Sequence, residues 1–371
     1  MSSQWSYRKS EFLSFPLRHF PANVAFLNTD SRCHMNRTVR TTATVMLLQT
    51  LLWFFSGSAL AQSLEKIIIA YSAISPFQVI VKVAEDSGIF GKNGLETKLV
   101  FIEGGSRGAQ ALLAGEVPFV VSDGASAVTS RLAGADTTII IGLVNTFPYT
   151  LISAPEIRDV SDLKGKKVAI SRFGSATDVA TRFALRKVGL NPDRDVAMLQ
   201  IGAQNARFAA LKAGSVQAAV ITPPFTLTAR KLGFNSLLNM VDLNLPTSQS
   251  AVLTTDSLIR RNTKLVGKVV KSFVDAIYFY KTQKKESIKI LKKFLGYTSD
   301  EEVEEAYSEA GLKLVPSKPY PTLEGIQLIL QSLEEKNSKA RNRRAEEFVN
   351  VSFLEKLDKS GYIDQLYKAT K

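Results

Sequence analysis

The sequence predicts an α/β fold of two similar lobes, each a mostly parallel sheet flanked by helices, with a helical C-terminal tail. Three observations carry that reading. From Lys66 onward, short and almost continuously apolar segments alternate with helical periodicities, the pattern of strands buried on both faces and joined by crossover helices. The run Ala-Leu-Leu-Ala-Gly-Glu-Val-Pro-Phe-Val-Val, Ala111 to Val121, returns as Ala-Leu-Lys-Ala-Gly-Ser-Val-Gln-Ala-Ala-Val, Ala210 to Val220. Both read as helix end, Gly stop and buried strand, and a period of about a hundred residues is too long for a solenoid. Finally, 371 residues that are 45% apolar and 22% charged are enough for two such lobes.

The first sixty-one residues stand apart. Arg37 and Arg40 precede an uncharged run, Ala43 to Phe55, and Ala59-Leu60-Ala61 offers a small-residue cleavage site, so a secretory signal is expected. That run is about thirteen residues, short of the roughly 20 that cross a bilayer, which disfavours a retained anchor. Met35 is an alternative start to Met1. His19, His34, Cys33, Trp5 and Trp53 are the chain's only His, Cys and Trp residues, so cleavage after Ala61 leaves none. Zinc sites of Cys or His, a Ser-His-Asp triad, a thiol nucleophile and a disulfide framework are excluded together, and no metal or cofactor is expected. The formal net charge is +13, and the basic residues are scattered without interleaved aromatics. Nucleic-acid binding is therefore not expected, although a positive surface speeds encounter with anions.

Each element has its own signal. Lys66 to Ser72 reads as a strand, with Ser75-Pro76 opening a helix that runs to about Asp86 before Gly88. Leu95 to Ile102, Val117 to Ser122 and Ile139 to Val144 read as further strands, separated by helices Gly105 to Ala114 and Ala125 to Ala133. Extended stretches at Tyr149 to Pro155 and Thr247 to Thr254 are read as crossings between lobes, which assigns 62–150 with 250–371 to one lobe and 151–249 to the other. In the second lobe, strand Val168 to Ser171 leads through a polar Gly loop into a helix with Ser175 at its cap. After Asn262, Val266, Val269, Val270, Phe273, Ala276, Ile277 and Tyr280 form an apolar stripe at helical spacing, read as core.

The motif Asp162-Leu-Lys-Gly-Lys-Lys-Val168 with Gly174-Ser175, the segment Leu190-Asn-Pro-Asp-Arg-Asp-Val196, Ala210 to Gly214, Pro224 and Gly88-Ile-Phe90 together resemble a family. It is the periplasmic substrate-binding proteins of ABC importers of the nitrate, sulfonate and taurine type, close to the thiamine-pyrimidine-precursor-binding group. The resemblance spans Lys66 to Phe234 and implies a two-lobed, type II periplasmic-binding-protein fold, a small-molecule ligand, a membrane permease as partner, a monomer and a periplasmic location. Pro118-Phe119 and Gln217-Ala218 depart from the family pattern, in which an acidic residue often precedes the strand.

Ligands of open α/β sheets lie beyond the carboxyl ends of the strands. The expected contacts are therefore Ser72 and Ser75 after the first strand, Ser122 and Asp123 after the third, Arg172, Gly174, Ser175, Ala176 and Thr177, and Thr222 and Pro223. Arg107 and Arg172 could pair with a carboxylate or sulfonate or stay solvated at the surface. Phe147, Phe77, Tyr149, Phe173 and Phe225 could wall the site or fill the core, and Asp123 could read a ligand amine or cap the helix after it. Three functions compete: a solute receptor for an importer, an enzyme of pyrimidine or sulfur chemistry on the same scaffold, and a ligand-sensing module.

Overall fold

The computed structural model describes residues 63–368 apart from 244–245, 298 and 335–336. The expected signal segment, residues 1–61, lies outside the described residues. Among these, the strands form two five-stranded sheets. The first contains β1 (Glu65–Tyr71), β2 (Leu95–Phe101), β3 (Phe119–Ser122), β4 (Thr137–Thr146) and β10 (Pro246–Thr255), in the order β2-β1-β3-β10-β4. The second contains β5 (Thr150–Ser153), β6 (Lys167–Ile170), β7 (Ala197–Gln200), β8 (Ala218–Ile221) and β9 (Asn235–Asn239), in the order β7-β6-β8-β5-β9.

The mostly parallel plan holds, with one reversed strand in each sheet. β1 runs parallel to β2 and β3, and β6 runs parallel to β7 and β8. β10 is antiparallel to β3 and β4, and β5 to β8 and β9. These reversed strands correct the reading of Tyr149 to Pro155 and Thr247 to Thr254 as free crossings: most of both stretches is paired and buried inside a sheet. The reversal follows from the crossing. β4 leaves the first sheet at its carboxyl edge, and residues 147–149 span at most about 10 Å before β5 begins. β5 must then start at the edge of the second sheet that faces the first, and its antiparallel partner β8 must end there. β9 and β10 repeat the arrangement in the other direction, so the carboxyl ends of both sets of parallel strands point at one another.

Helices expected after the strands are α1 (Val79–Asp86), α3 (Gly105–Leu113), α4 (Gly124–Leu132), α5 (Ala176–Lys187) and α6 (Gln204–Lys212); a short α2 (Ile89–Lys92) and α7 (Phe225–Lys231) add to them. α1 starts three residues later than the Ser75-Pro76 signal suggests. Gln78 is the reason, because its Oε1 accepts from the Ser72 and Ala73 amides (2.9 and 3.0 Å) and its Nε2 donates to Ser72 Oγ (3.0 Å). That clasp holds residues 72–78 in a turn, and the helix can only begin after it.

The tail supplies α8 (Asp256–Arg261), α9 (Thr263–Thr282), α10 (Lys284–Leu295), α11 (Asp300–Glu305), α12 (Leu323–Leu333), α13 (Ser352–Lys359) and α14 (Tyr362–Lys368). Every member of the predicted stripe from Val266 to Tyr280 is buried, and the stripe packs in one cluster with Ile80, Val83, Ile69 and Phe119. Each such side chain contributes about 1.5–3 kcal/mol by leaving water. Ile326, Ile329, Leu330 and Phe348 join a second cluster with Val128, Ile139 and Leu253. The tail also docks by main chain: Gly142 N–H donates to Pro319 O (2.8 Å), and Ile139 forms a parallel bridge with Val349.

A Cβ at Gly142 would meet Pro321 Cα at 2.7 Å and Tyr320 O at 2.8 Å, both backbone atoms that cannot swing aside. Gly142→Val is therefore expected to lower stability by about 1–3 kcal/mol in equilibrium urea unfolding. An unchanged midpoint would show that the 319–321 segment does not rest on β4.

Candidate functional site

The facing strand ends enclose a cavity of about 480 Å³. The loops after β1, β2 and β3 and the start of β10 line it from the first sheet, and those after β6, β7 and β8 from the second. Helices α3, α4, α5 and α6 all begin at these loops, so their amino-terminal, electropositive ends surround the space. Its apolar wall includes Ile74, Phe77, Phe101, Tyr149, Phe225, Leu295 and Tyr297.

Of the residues the sequence singles out, Ser72, Ser75, Asp123, Ser175, Ala176, Thr177 and Thr222 line this cavity. Phe77, Tyr149 and Phe225 do so too, whereas Phe173 is exposed. The others lie elsewhere. Ser122 is fully buried behind the wall and bonds Ser72 Oγ (3.2 Å). Phe147 is core, stacked at a tilt against Phe183 with ring centroids 6.4 Å apart. Gly174 sits against Thr129 and Ser106, Arg172 lies along Gly104, and Pro223 contributes no lining surface. Arg107 points from the exposed side of α3 into a separate open groove beside Gln110 and Glu116. In α3 the cavity-side residue is Gly105, and Gly108 packs on Val120, which leaves no inward direction for Arg107.

Much of the expected hydrogen-bonding capacity at the start of α5 is used within the protein. Ser171 Oγ, Ser175 Oγ and Thr177 Oγ1 bond one another at 2.9–3.0 Å, and Ser175 Oγ donates to Arg172 O (2.7 Å) instead of capping the helix. Gly174 N–H goes to Asp178 Oδ2 (2.8 Å), and Asp178 is held in turn by Arg182 Nε (2.7 Å). The Ala176 amide acts on the carboxylate of Asp123, which belongs to the other sheet, and favours its ionised form.

Asp123 is therefore both a cap and a bridge. Its Oδ1 accepts from Ser126 N (2.8 Å) and its Oδ2 from Ser126 Oγ (3.1 Å), closing the start of α4. A Cβ on Gly105 would fall on the same carboxylate, so the first turn of α3 also rests against it. Burial pushes the carboxyl up to about 6, opposed by the hydrogen bonds from Ser126 and Ala176. Further contacts join the two sides: Ser106 Oγ donates to Phe173 O (3.0 Å), and the Glu103 carboxylate covers Gly202.

Sequence reasoning missed Gln78, Glu103, Gln204, Arg207, Gln249 and Tyr297. Arg207, 4% exposed, donates from Nε to Val220 O (3.0 Å) and from Nη1 to Gly202 O. Burial lowers its guanidinium to about 10, which leaves it charged at neutral pH. Gln204 is fixed by Thr222, whose N and Oγ1 donate to its Oε1 at 2.9 and 2.8 Å, and its Nε2 has no partner. Gln249 Nε2 donates to Tyr149 OH, leaving Oε1 unpartnered. The internal repeat could have found two of these. It makes α6 the counterpart of α3, so the loop before Gln204 answers the loop before Gly105.

Among the described residues no group of three or more His, Cys, Asp or Glu side chains could hold a metal ion, and no helix is long and apolar enough to cross a membrane. Two mixed sheets with facing carboxyl edges are the fold of periplasmic binding proteins. A family model described as NMT1/THI5 like matches residues 77–286, and the chain belongs to this family. A protein of Brucella abortus named as a binding protein is 25% identical over 68% of this chain and 78% of its own length. One of Escherichia coli named as an aliphatic sulfonates-binding protein is 27% identical over 58% and 67%. The alkanesulfonate-binding protein SsuA from Xanthomonas axonopodis, bound to MOPS, has a TM-score of 0.65 at 20% identity, covering 78% of this chain and 99% of its own. The periplasmic nitrate-binding protein NrtA from Synechocystis gives 0.64 at 11%, covering 80% and 89%. A mutant of DszB in complex with biphenyl-2-sulfinic acid gives 0.59 at 15%, covering 80% and 100%.

The Asp123 shift fixes a sign. Its carboxyl is raised from 3.8 to about 6 in the folded state, so the folded chain holds the proton more tightly and stability falls as pH rises between those values. Asp123→Asn keeps a capping oxygen without the titration. The stability difference, wild type minus Asp123→Asn, is expected to decline from pH 4 to pH 6 in parallel denaturation series and to level off above. A difference independent of pH would contradict the buried, ionised carboxylate.

Proposed function

We propose that the protein is the periplasmic solute-binding component of an ABC importer, and that it holds a small organic anion or heteroaromatic compound of the sulfonate, nitrate or pyrimidine class between two lobes. The observation that carries this is the cavity at the facing strand ends, lined from both sheets at once. A site divided between two halves is completed only when they meet, so a ligand that touches both favours the closed arrangement and is released when the halves part. Membership of the NMT1/THI5-like family and likeness to sulfonate- and nitrate-binding proteins support the ligand class.

The lobes proposed are residues 62–149 with 246–371, and 150–245, so that β5 and β10 each lie whole in one lobe. The contacts proposed are Ser72, Ser75, Asp123, Ser175, Ala176, Thr177 and Thr222, the expected residues that line the cavity. The chain is exported, acts as a monomer and passes its ligand to a membrane permease unaltered. Residues 62–371 contain no Cys or His, which removes the usual nucleophile and proton-transfer groups and favours transport over turnover.

Heating the protein with a panel of sulfonates, carboxylates, nitrate and pyrimidines is expected to single out a compound that stabilises it by about 2.7 kcal/mol at a hundredfold excess over Kd. For a chain of this size that raises the melting temperature by several degrees. Mass spectrometry after incubation is expected to recover the compound unchanged. Its chemical conversion would favour the enzyme reading, and a panel without any stabilising member would count against solute binding.

A further inference from the structure

The cavity holds a buried positive charge that forms no ion pair among the described residues. Arg207 is 4% exposed, and no carboxylate of the described residues lies within 4.0 Å of it. Among the described residues its hydrogen bonds go only to the carbonyls of Val220 and Gly202, and Nη2, which makes none, keeps access to the cavity. A buried cation without a counter-ion is costly, and carbonyl dipoles offset only part of the loss of water. Glu103 and Tyr149 act on Arg207 electrostatically, but burial outweighs both.

A second observation lies on the same helix. Gln204 stands three residues before Arg207 on α6, hence on the same face, and Thr222 occupies its Oε1 so that the unpartnered atom is the donor Nε2. Both residues line the cavity, at the electropositive end of a nine-residue helix. The start of α5 contrasts with this, because the Asp123 carboxylate lines the cavity beside Ala176 and already brings negative charge there.

We infer that Arg207 and Gln204, at the start of α6, form the subsite that holds the anionic group of the ligand, and that the start of α5 does not. The inference rests on the solute-binding reading above and assigns the ligand's charge and the end of the cavity it occupies. A carboxylate or sulfonate oxygen there accepts from Nη2 in a charge-assisted bond and supplies the missing counter-ion. The apolar body then lies along Phe225 and Tyr149.

Isosteric pairs test this on the full chain: benzoate against benzamide, and propane-1-sulfonate against propane-1-sulfonamide, by calorimetric titration. The wild type is expected to prefer the anion of a pair by about 10- to 100-fold, the worth of one hydrogen bond to a charged group. Removing Arg207 could unfold the chain by freeing Gly202 and Val220, so the variant of choice is Gln204→Glu. It keeps the acceptor that Thr222 uses and the carbonyl bonds of Arg207, and it supplies a carboxylate in place of the ligand's. Loss of the anion preference in Gln204→Glu, at an unchanged or raised melting temperature, supports the subsite. Equal anion affinity in wild type and Gln204→Glu overturns it, as does a wild type that prefers the amide. If no compound of any class binds, the solute-binding reading itself fails and this inference with it.

Discussion

The structure depends on how the chain passes between its two sheets. Because residues 147–149 are too few to travel far, β5 has to enter the second sheet from the edge that faces the first, and β10 makes the matching return. Both entering strands are reversed against their neighbours, and that reversal aims the carboxyl ends of the parallel strands of each sheet at those of the other. The cavity, the ring of helix amino termini and the shared lining all follow. A long crossing would have left the sheets free to face any direction, and the loops would not have met.

The surrounding chemistry balances stability against use. Asp123 caps the start of α4, supports that of α3 and lies beside that of α5 across the cavity, at the cost of burying a carboxylate. Arg207 braces the carbonyls of Gly202 and Val220 but forms no ion pair among the described residues. Natural sites accept such local penalties where function needs them, and two large apolar clusters, one of them shared by both sheets, supply the compensating stability. The extended hydroxyl network of Ser171, Ser175 and Thr177 is different, since its members satisfy one another and keep the loop in shape.

Much of the fold was legible in the residues. Alternating apolar strands and Gly-stopped helices located β1 to β4, β6 and β8, and the repeat of Ala111 to Val121 at Ala210 to Val220 revealed the second sheet. Burial of the Val266 to Tyr280 stripe shows that helical periodicity in so long an apolar segment is a dependable sign of core. Periodicity could not tell that 149–155 and 247–254 were central strands, because an extended crossing and a buried strand look alike locally and only pairing separates them. The site was half legible. Loops at strand ends gave Ser72, Asp123, Ser175 to Thr177 and Thr222, which line the cavity, while Arg107 and Arg207 show the limit: both lie near the start of equivalent helices, yet packing of Gly108 on Val120 turns one outward and the carbonyls of Gly202 and Val220 turn the other inward. A side chain's direction is set by what surrounds it, which a linear reading does not contain.

Amide hydrogen exchange, compared with and without a saturating solute, tests the central claim most directly. If a small molecule is held between facing strand ends, exchange slows together in the loops of both sheets, at residues 102–107 and 123–126 on one side and 172–178 and 202–207 on the other. Protection confined to one sheet, or located away from these loops, would contradict a shared cavity as the binding site.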